Sequence, residues 1–160
     1  MLEIKRAEVR HREALLELIA AYHAHDGIET TEAKRRGALV GLMSSPQFGQ
    51  VWVAEHDGAL LGYAVLTYDY SLECGGREGF VDELFVAASA RGKGVGRMLL
   101  DRLVSAAAEQ LLGGLHIVVE QENHAALAFY ECCGWGRPHR VVLSRELGVS
   151  PANGQSKDNG

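Results

Sequence analysis

From Val86 to Arg97 the chain reads Val-Ala-Ala-Ser-Ala-Arg-Gly-Lys-Gly-Val-Gly-Arg, with glycines at the alternate positions 92, 94 and 96. A strand-like run, Gly79 to Val86, precedes this segment. A helical run follows it, with Leu99, Leu100, Leu103, Val104, Ala107 and Leu111 predicted as its buried stripe. Glycine lets the backbone turn sharply and approach a ligand, because no Cβ intervenes. Several N–H groups then point outward at the start of a helix, where the dipole also favours negative charge. Arg91, Lys93 and Arg97 add cationic reach, so the segment reads as a pyrophosphate cradle.

Three other readings of this loop compete. A P-loop needs Ser or Thr after its lysine, and Arg97-Met98 follow the last glycine here. A dinucleotide fingerprint needs G-x-G-x-x-G rather than the G-x-G-x-G present, although Glu120 imitates its ribose-binding acid. A purely structural glycine turn is the plainest alternative.

The rest of the chain supplies the elements around this unit. Leu2 to Ala7 opens as a strand, and His11 to His25 carries apolar residues at helical spacing. Thr30 and Thr31 can cap a second helix running through Met43. Val51–Ala54 and Leu60–Thr67 form two strands joined by Asp57-Gly58, a strong hairpin signal. Leu115 to Val119 is predicted as a buried strand, His124 to Cys133 as a helix closed by Gly134, and Pro138 to Arg145 as a last strand. The order β-α-α-β-β-β-α-β-α-β gives an α/β (α+β) fold with a mixed sheet, mostly antiparallel, and helices on both faces. A right-handed crossover makes Gly79–Val86 and Leu115–Val119 parallel. Residues 1–147 form one domain, and the polar tail 148–160 is expected to be disordered.

Composition narrows the function. The net charge of −5 disfavours nucleic acid as a partner, and no apolar run is long enough to span a membrane. Three cysteines, two of them adjacent, form neither a disulfide framework nor a metal pattern, so the expected compartment is cytoplasmic. The histidines show no convergent spacing, so no metal is expected, and they read mostly as surface or packing residues. The first 90 residues hold 14 acids and 8 bases, while the remainder holds 7 and 8. That asymmetry suits a cationic substrate beside an anionic cofactor.

Three segments together resemble the GNAT N-acetyltransferase superfamily. They are Asp82-Glu-Leu-Phe-Val86, Arg91-Gly-Lys-Gly-Val-Gly96, and Asn123-x-x-Ala126-x-x-x-Tyr130-x-x-x-Gly134-Trp135. The loop matches that family's Gln/Arg-x-x-Gly-x-Gly/Ala motif through Arg91, Gly94 and Gly96. The resemblance implies a central splayed pair of parallel strands and acetyl-CoA as co-substrate. It places the acetyl and pantetheine portion on Leu84, Phe85 and Val86, and the pyrophosphate on the backbone of Arg91, Gly92, Lys93, Gly94, Val95, Gly96 and Arg97. Asn123 would contact the pantetheine arm, and Tyr130 would stand near the sulfur as proton donor. A homodimer is common in such proteins.

The chemistry of acetyl transfer adds further candidates. A protonated amine must lose a proton before it attacks a thioester. Asp82 shares strand parity with Leu84 and Val86 and is the predicted base, acting through a water; Glu83 faces the other way and is expected to be structural or paired. Asp26, Glu29, Asp69, Tyr70 and Glu73 supply carboxylates and an aromatic ring suited to an organic cation. The expected reaction is acetyl transfer to the primary amine of a small cationic metabolite: a polyamine, aminoglycoside or amino-acid derivative. Thr67-Tyr-Asp-Tyr70 is similar to diamine acetyltransferases, whereas Ser71 to Arg77 departs from them. A peptide acceptor, or a non-catalytic acyl-CoA-binding module, are the alternatives.

Overall fold

The computed structural model describes residues 1–148, and the tail expected to be disordered over 148–160 lies, apart from Gly148, outside the described residues. The chain forms two units, Met1–Glu120 and the part from Gln121 onward.

The first unit is built on five strands: β1 (Leu2–Arg6), β2 (Gly49–His56), β3 (Ala59–Ser71), β4 (Gly76–Val86) and β5 (Leu115–His116). They lie in the order β1-β2-β3-β4-β5, the first four antiparallel and the last pair parallel. Helices α1 (Arg12–His25) and α2 (Glu32–Ser44) lie between β1 and β2, and α3 (Val95–Glu109) between β4 and β5. The hairpin forms where expected, since Asp57 and Gly58 both take positive φ (49° and 81°), as a right-twisted two-residue turn requires. Thr31 caps α2 by accepting a hydrogen bond from the Lys34 N–H at 3.2 Å. Arg36 on α2 reaches back to α1, donating to both oxygens of Glu13 at 2.7 and 2.9 Å.

Strand alternation sends side chains to two cores. Tyr63, Val65, Val51, Val53 and Phe85 pack with Leu15, Leu16 and Ile19 of α1 and Leu39 of α2. The neighbouring Gly62 faces the other way: a Cβ there would stand 3.3 Å from Leu99 Cδ1 on α3. Helices therefore cover both faces of the sheet.

The second unit contains α4 (His124–Cys132), capped by the Asn123 side chain, which accepts from the Ala126 N–H at 3.1 Å. Gly134 follows the helix with φ of 89°, the left-handed conformation that ends it. Within this unit Tyr130 is buried, edge-on to Phe129 and Trp135 at 5.1 and 5.8 Å.

Three expectations are corrected. Residues 138–145 form no strand, and Val141, Val142 and Leu143 are exposed. The strand predicted over Leu115–Val119 is only two residues long, and Val118 is exposed. In α3 the buried residues are Val95, Leu99, Leu100, Leu103, Ala106 and Ala107; Val104 (47% exposed) and Leu111 (88%) lie outside them. One side of α3 packs on the sheet, and Ala106 rather than Val104 lies on that side. Leu103→Ala, which deletes a fully buried side chain, should cost about 2–5 kcal/mol in chemical denaturation. Val104→Ala should change stability by no more than about 0.5 kcal/mol; equal losses would contradict this packing.

Candidate active site

The strand β4 carries the candidate chemistry, and two irregularities shape it. Its pairing with β5 comprises only Gly79↔Leu115 and Phe80↔His116, so beyond Phe80 the sheet continues on the β3 side alone. The parallel pair expected from the sequence is present, and its ladder ends after two residues. The second irregularity is a β-bulge. Val65 pairs with Glu83 and Leu66 with Val81, which leaves Asp82 as an extra residue. Alternation breaks at such a residue, so parity does not carry from Asp82 to Leu84 and Val86.

Glu83 turns out to be the most connected carboxylate of the region. It is half-buried, and its Oε2 accepts from the Tyr63 hydroxyl at 2.6 Å. Its Oε1 lies 2.6 Å from His23 Nε2 on α1. The other ring nitrogen, His23 Nδ1, is 2.8 Å from Thr30 Oγ1 in the α1–α2 connection. Arg35 of α2 donates from one guanidinium nitrogen to Thr30 Oγ1 (3.0 Å) and to the Thr30 carbonyl (2.9 Å). Burial and then Glu83's charge push the Tyr63 phenol well above its ordinary value. Tyr22, stacked at 5.7 Å from Phe85, is pushed up to about 12 by burial first and then by the charges of Asp26 and Glu83.

Asp82 retains solvent access, yet its carboxyl is pushed above the usual carboxylate range. Desolvation by the surrounding protein is the main cause and Glu83's negative charge the next; a positive charge on His23, when it is protonated, acts in the opposite direction. Two neighbouring carboxylates therefore have different surroundings, one fixed by hydrogen bonds and one solvent-accessible.

The glycine turn lies at the end of the same strand. Gly92 and Gly94 have φ of 72° and 78°, the left-handed region that penalises any side chain, while Gly96 sits inside α3 without that requirement. Gly94 is the N-cap of α3 with no side-chain cap, so the first N–H groups from Val95 onward have no intrahelical acceptor. Arg91 folds back, donating from Nε to the Val86 carbonyl at 3.0 Å, with its guanidinium 5.5 Å from the Phe85 ring centre. Lys93 Nζ donates to the Ser89 carbonyl, and Arg97 pairs with Asp101 at 3.8 Å. These three cations bond to the protein while keeping their charge beside the helix start.

A cavity of about 620 Å³ opens between α1 and the start of α2, lined by His23, Ile28, Glu29, Thr30, Lys34 and Arg35 among others. Of the predicted acceptor residues, Glu29 lines it, and Asp26 stands beside Tyr22. Asp69 and Tyr70 do not join them. They pair with Glu78 and Arg77 near the far end of the β3–β4 hairpin, four and five residues along β3 from Val65. At about 3.3 Å per residue that is roughly 13–17 Å from Glu83's partner. Glu73 follows in the same hairpin loop.

Leu84, Phe85 and Val86 occupy the end of β4, and the Phe85 side chain is spent on packing against Tyr22 and Tyr63. Asn123 and Tyr130 belong to the second unit, where the Asn123 side chain is engaged as the α4 cap. Among the described residues no group of His, Cys, Asp and Glu is arranged to hold a metal ion, and no helix is long and apolar enough to cross a membrane. Sequence reasoning missed His23, Thr30 and Tyr63. The legible signal was the second carboxylate, Glu83, which needs partners wherever it is half-buried.

Comparison with known proteins completes the picture. Residues 13–135 match the model of the acetyltransferase (GNAT) family. The chain is 37% identical to a phosphinothricin N-acetyltransferase of Alcaligenes faecalis, over 73% of this chain; it spans 61% of that relative's length. A possible acetyltransferase from Clostridium difficile 630 superposes with a TM-score of 0.83 at 18% identity, covering 92% of this chain and 98% of the other. A predicted acetyltransferase with acetyl-CoA from Clostridium acetobutylicum gives 0.76 at 17% identity, covering 91% and 96%. The two structures carry the likeness of fold, and with the sequence matches they place this chain in the GNAT acetyltransferase family.

Proposed function

We propose that the chain transfers the acetyl group of acetyl-CoA to the primary amine of a small molecule. The observation that carries this reading is the end of β4: a strand free of β5 beyond Phe80, bearing two carboxylates, and running into a left-handed glycine turn at the head of α3. The family supports the reaction type, a relative named for phosphinothricin supports a small-molecule acceptor, and a structural neighbour with acetyl-CoA supports the donor. The cavity of about 620 Å³ also lies in the small-molecule range.

The chemistry assigns each group a task. An ammonium with a pKa of about 10 is mostly protonated at neutral pH. Asp82, with its raised pKa, accepts its proton through a water, while Glu83 remains as the fixed negative charge that draws the cation. The free amine attacks the thioester carbonyl, and backbone N–H groups of Leu84 to Val86 stabilise the resulting oxyanion. Arg91 to Arg97 hold the pyrophosphate, Asn123 the pantetheine arm, and Tyr130 protonates the departing thiolate. The products are the acetamide, free CoA thiol and one proton, the last carried away by solvent.

Release of CoA thiol across phosphinothricin, polyamines, aminoglycosides, amino acids and peptides tests the reaction; silence across every amine would overturn it. Acetyl-CoA should raise the melting temperature of the parent but not of Gly94→Val, whose φ of 78° a β-branched residue resists. A parental shift in that variant would remove the cradle assignment.

For Asp82 the sign of the pH effect follows from its raised pKa. The folded state holds the proton more tightly than the unfolded chain. The stabilisation is therefore full below the ordinary carboxylate value and is lost as pH rises through the raised folded one. At neutral pH the ionised group is a cost, so Asp82→Asn should melt higher than the parent at pH 7, with the difference vanishing near about pH 3. Its rate should fall chiefly below the amine pKa. A lower melting temperature at pH 7, or a uniform loss of rate at every pH, would make Asp82 a structural residue instead. Tyr130→Phe keeps the ring and deletes the proton donor, and kcat should drop by about 100-fold with KM for acetyl-CoA little changed. Near-parental kcat would leave Tyr130 as packing.

A further inference from the structure

The hydrogen bonds around Glu83 form a series that can run in one direction, toward the carboxylate. Arg35 carries only donors, and one of its N–H groups meets Thr30 Oγ1 at 3.0 Å. The Thr30 hydroxyl, with an acceptor site filled by Arg35, can turn its own hydrogen toward His23 Nδ1, 2.8 Å away. In that orientation Nδ1 accepts and is unprotonated, which places the imidazole proton on Nε2. From there it is donated to Glu83 Oε1 at 2.6 Å. The second Glu83 oxygen accepts from Tyr63. Every bond in the series then points toward the carboxylate.

We propose that Thr30, ordered by Arg35, is a positioning residue that holds His23 as the neutral Nε2–H tautomer and thereby keeps Glu83 an oriented anion beside Asp82. The groups facing this series come from every element around it. They are Tyr22 of α1, Asp26, Glu29 and Thr30 of the connection, Lys34 and Arg35 of α2, Tyr63 of β3, and Asp82 of β4. Arg35, behind Thr30, opposes a second positive charge on His23. An imidazolium would also donate from Nδ1, so the Thr30 hydroxyl would accept from both Arg35 and His23 and its own hydrogen would lose this partner. Neutral His23 has a consequence for the base: an imidazolium so close would lower Asp82's basicity and neutralise the field of Glu83. Thr30 and His23 also line the cavity, so the residues that set the charge of Glu83 form part of the wall where an acceptor would lie.

This inference rests on the acetyltransferase reading for its kinetic consequence but not for its structural one, and the two are read separately. In ¹⁵N-labelled parent protein at pH 6–8, the His23 resonances should show an unprotonated Nδ1 and a protonated Nε2. Thr30→Val removes the hydroxyl at nearly constant volume, and His23 should then protonate at higher pH. In the same variant kcat should fall by about tenfold, the lower end of what orienting partners of a reacting group provide. The acid limb of the pH–rate profile should move to lower pH, as expected of a weakened base, with KM for acetyl-CoA unchanged. Thr30→Ser should restore both the titration and the profile. Arg35→Met should move His23 in the same direction by a smaller amount.

An imidazolium or Nδ1–H tautomer in the parent would overturn the proposal. So would a Thr30→Val protein with parental His23 titration, or a loss that Thr30→Ser does not recover. If no amine is acetylated while the His23 resonances behave as stated, the reaction assignment fails and the donor series stands.

Discussion

Beyond Phe80 the strand β4 has no β5 beside it, and most of what distinguishes this molecule answers to the backbone left over there. Unpaired strand edges invite pairing with other chains, and natural sheets blunt them with charge, bulges or covering loops. This edge has a bulge at Asp82, carboxylates at Asp82 and Glu83, and the Arg91 side chain folded onto the Val86 carbonyl. The same devices that protect an edge make a place where a thioester could be held by main-chain hydrogen bonds. The glycine turn extends that edge directly into the head of α3, so amide groups from a strand and from a helix start are contributed by one continuous segment.

Charge is arranged around this edge in two tiers. Glu83 is tied to β3 and α1 through Tyr63 and His23, while Asp82 stays in contact with solvent. A tethered carboxylate contributes a field that does not relax when a cation arrives, whereas an accessible one can exchange protons with water. Dividing these duties between adjacent residues is possible only because the bulge interrupts the alternation that would otherwise send them to opposite faces.

The features legible in the sequence are those set by local rules. Asp57-Gly58 specifies its hairpin, Thr31 and Asn123 cap the helices they precede, and the glycine spacing marks the turn into α3. Apolar runs were less reliable guides. Leu115–Val119 and Pro138–Arg145 have the composition of strands, yet strand formation depends on a partner that composition does not supply. The site was half-legible for the same reason. Asp82, Glu29 and the loop residues were named from the chain, but the bulge that reorients Asp82 and the partners of Glu83 are tertiary facts. Asp69 and Tyr70 are suitable as chemistry, but only the register shows that they lie four and five residues along β3 from the partner of Glu83.

The topology also sets an order of assembly. Strands β2, β3 and β4 are consecutive hairpins, so their pairing closes only short loops. The His23–Glu83 contact joins residues 60 apart and requires α1 to have docked on a sheet that already exists. The meander, bulge included, therefore closes at a lower entropic cost than the contact that gives the carboxylate its imidazole partner. A sheet without α1 docked on it would have the architecture of the family and leave Glu83 without its imidazole partner.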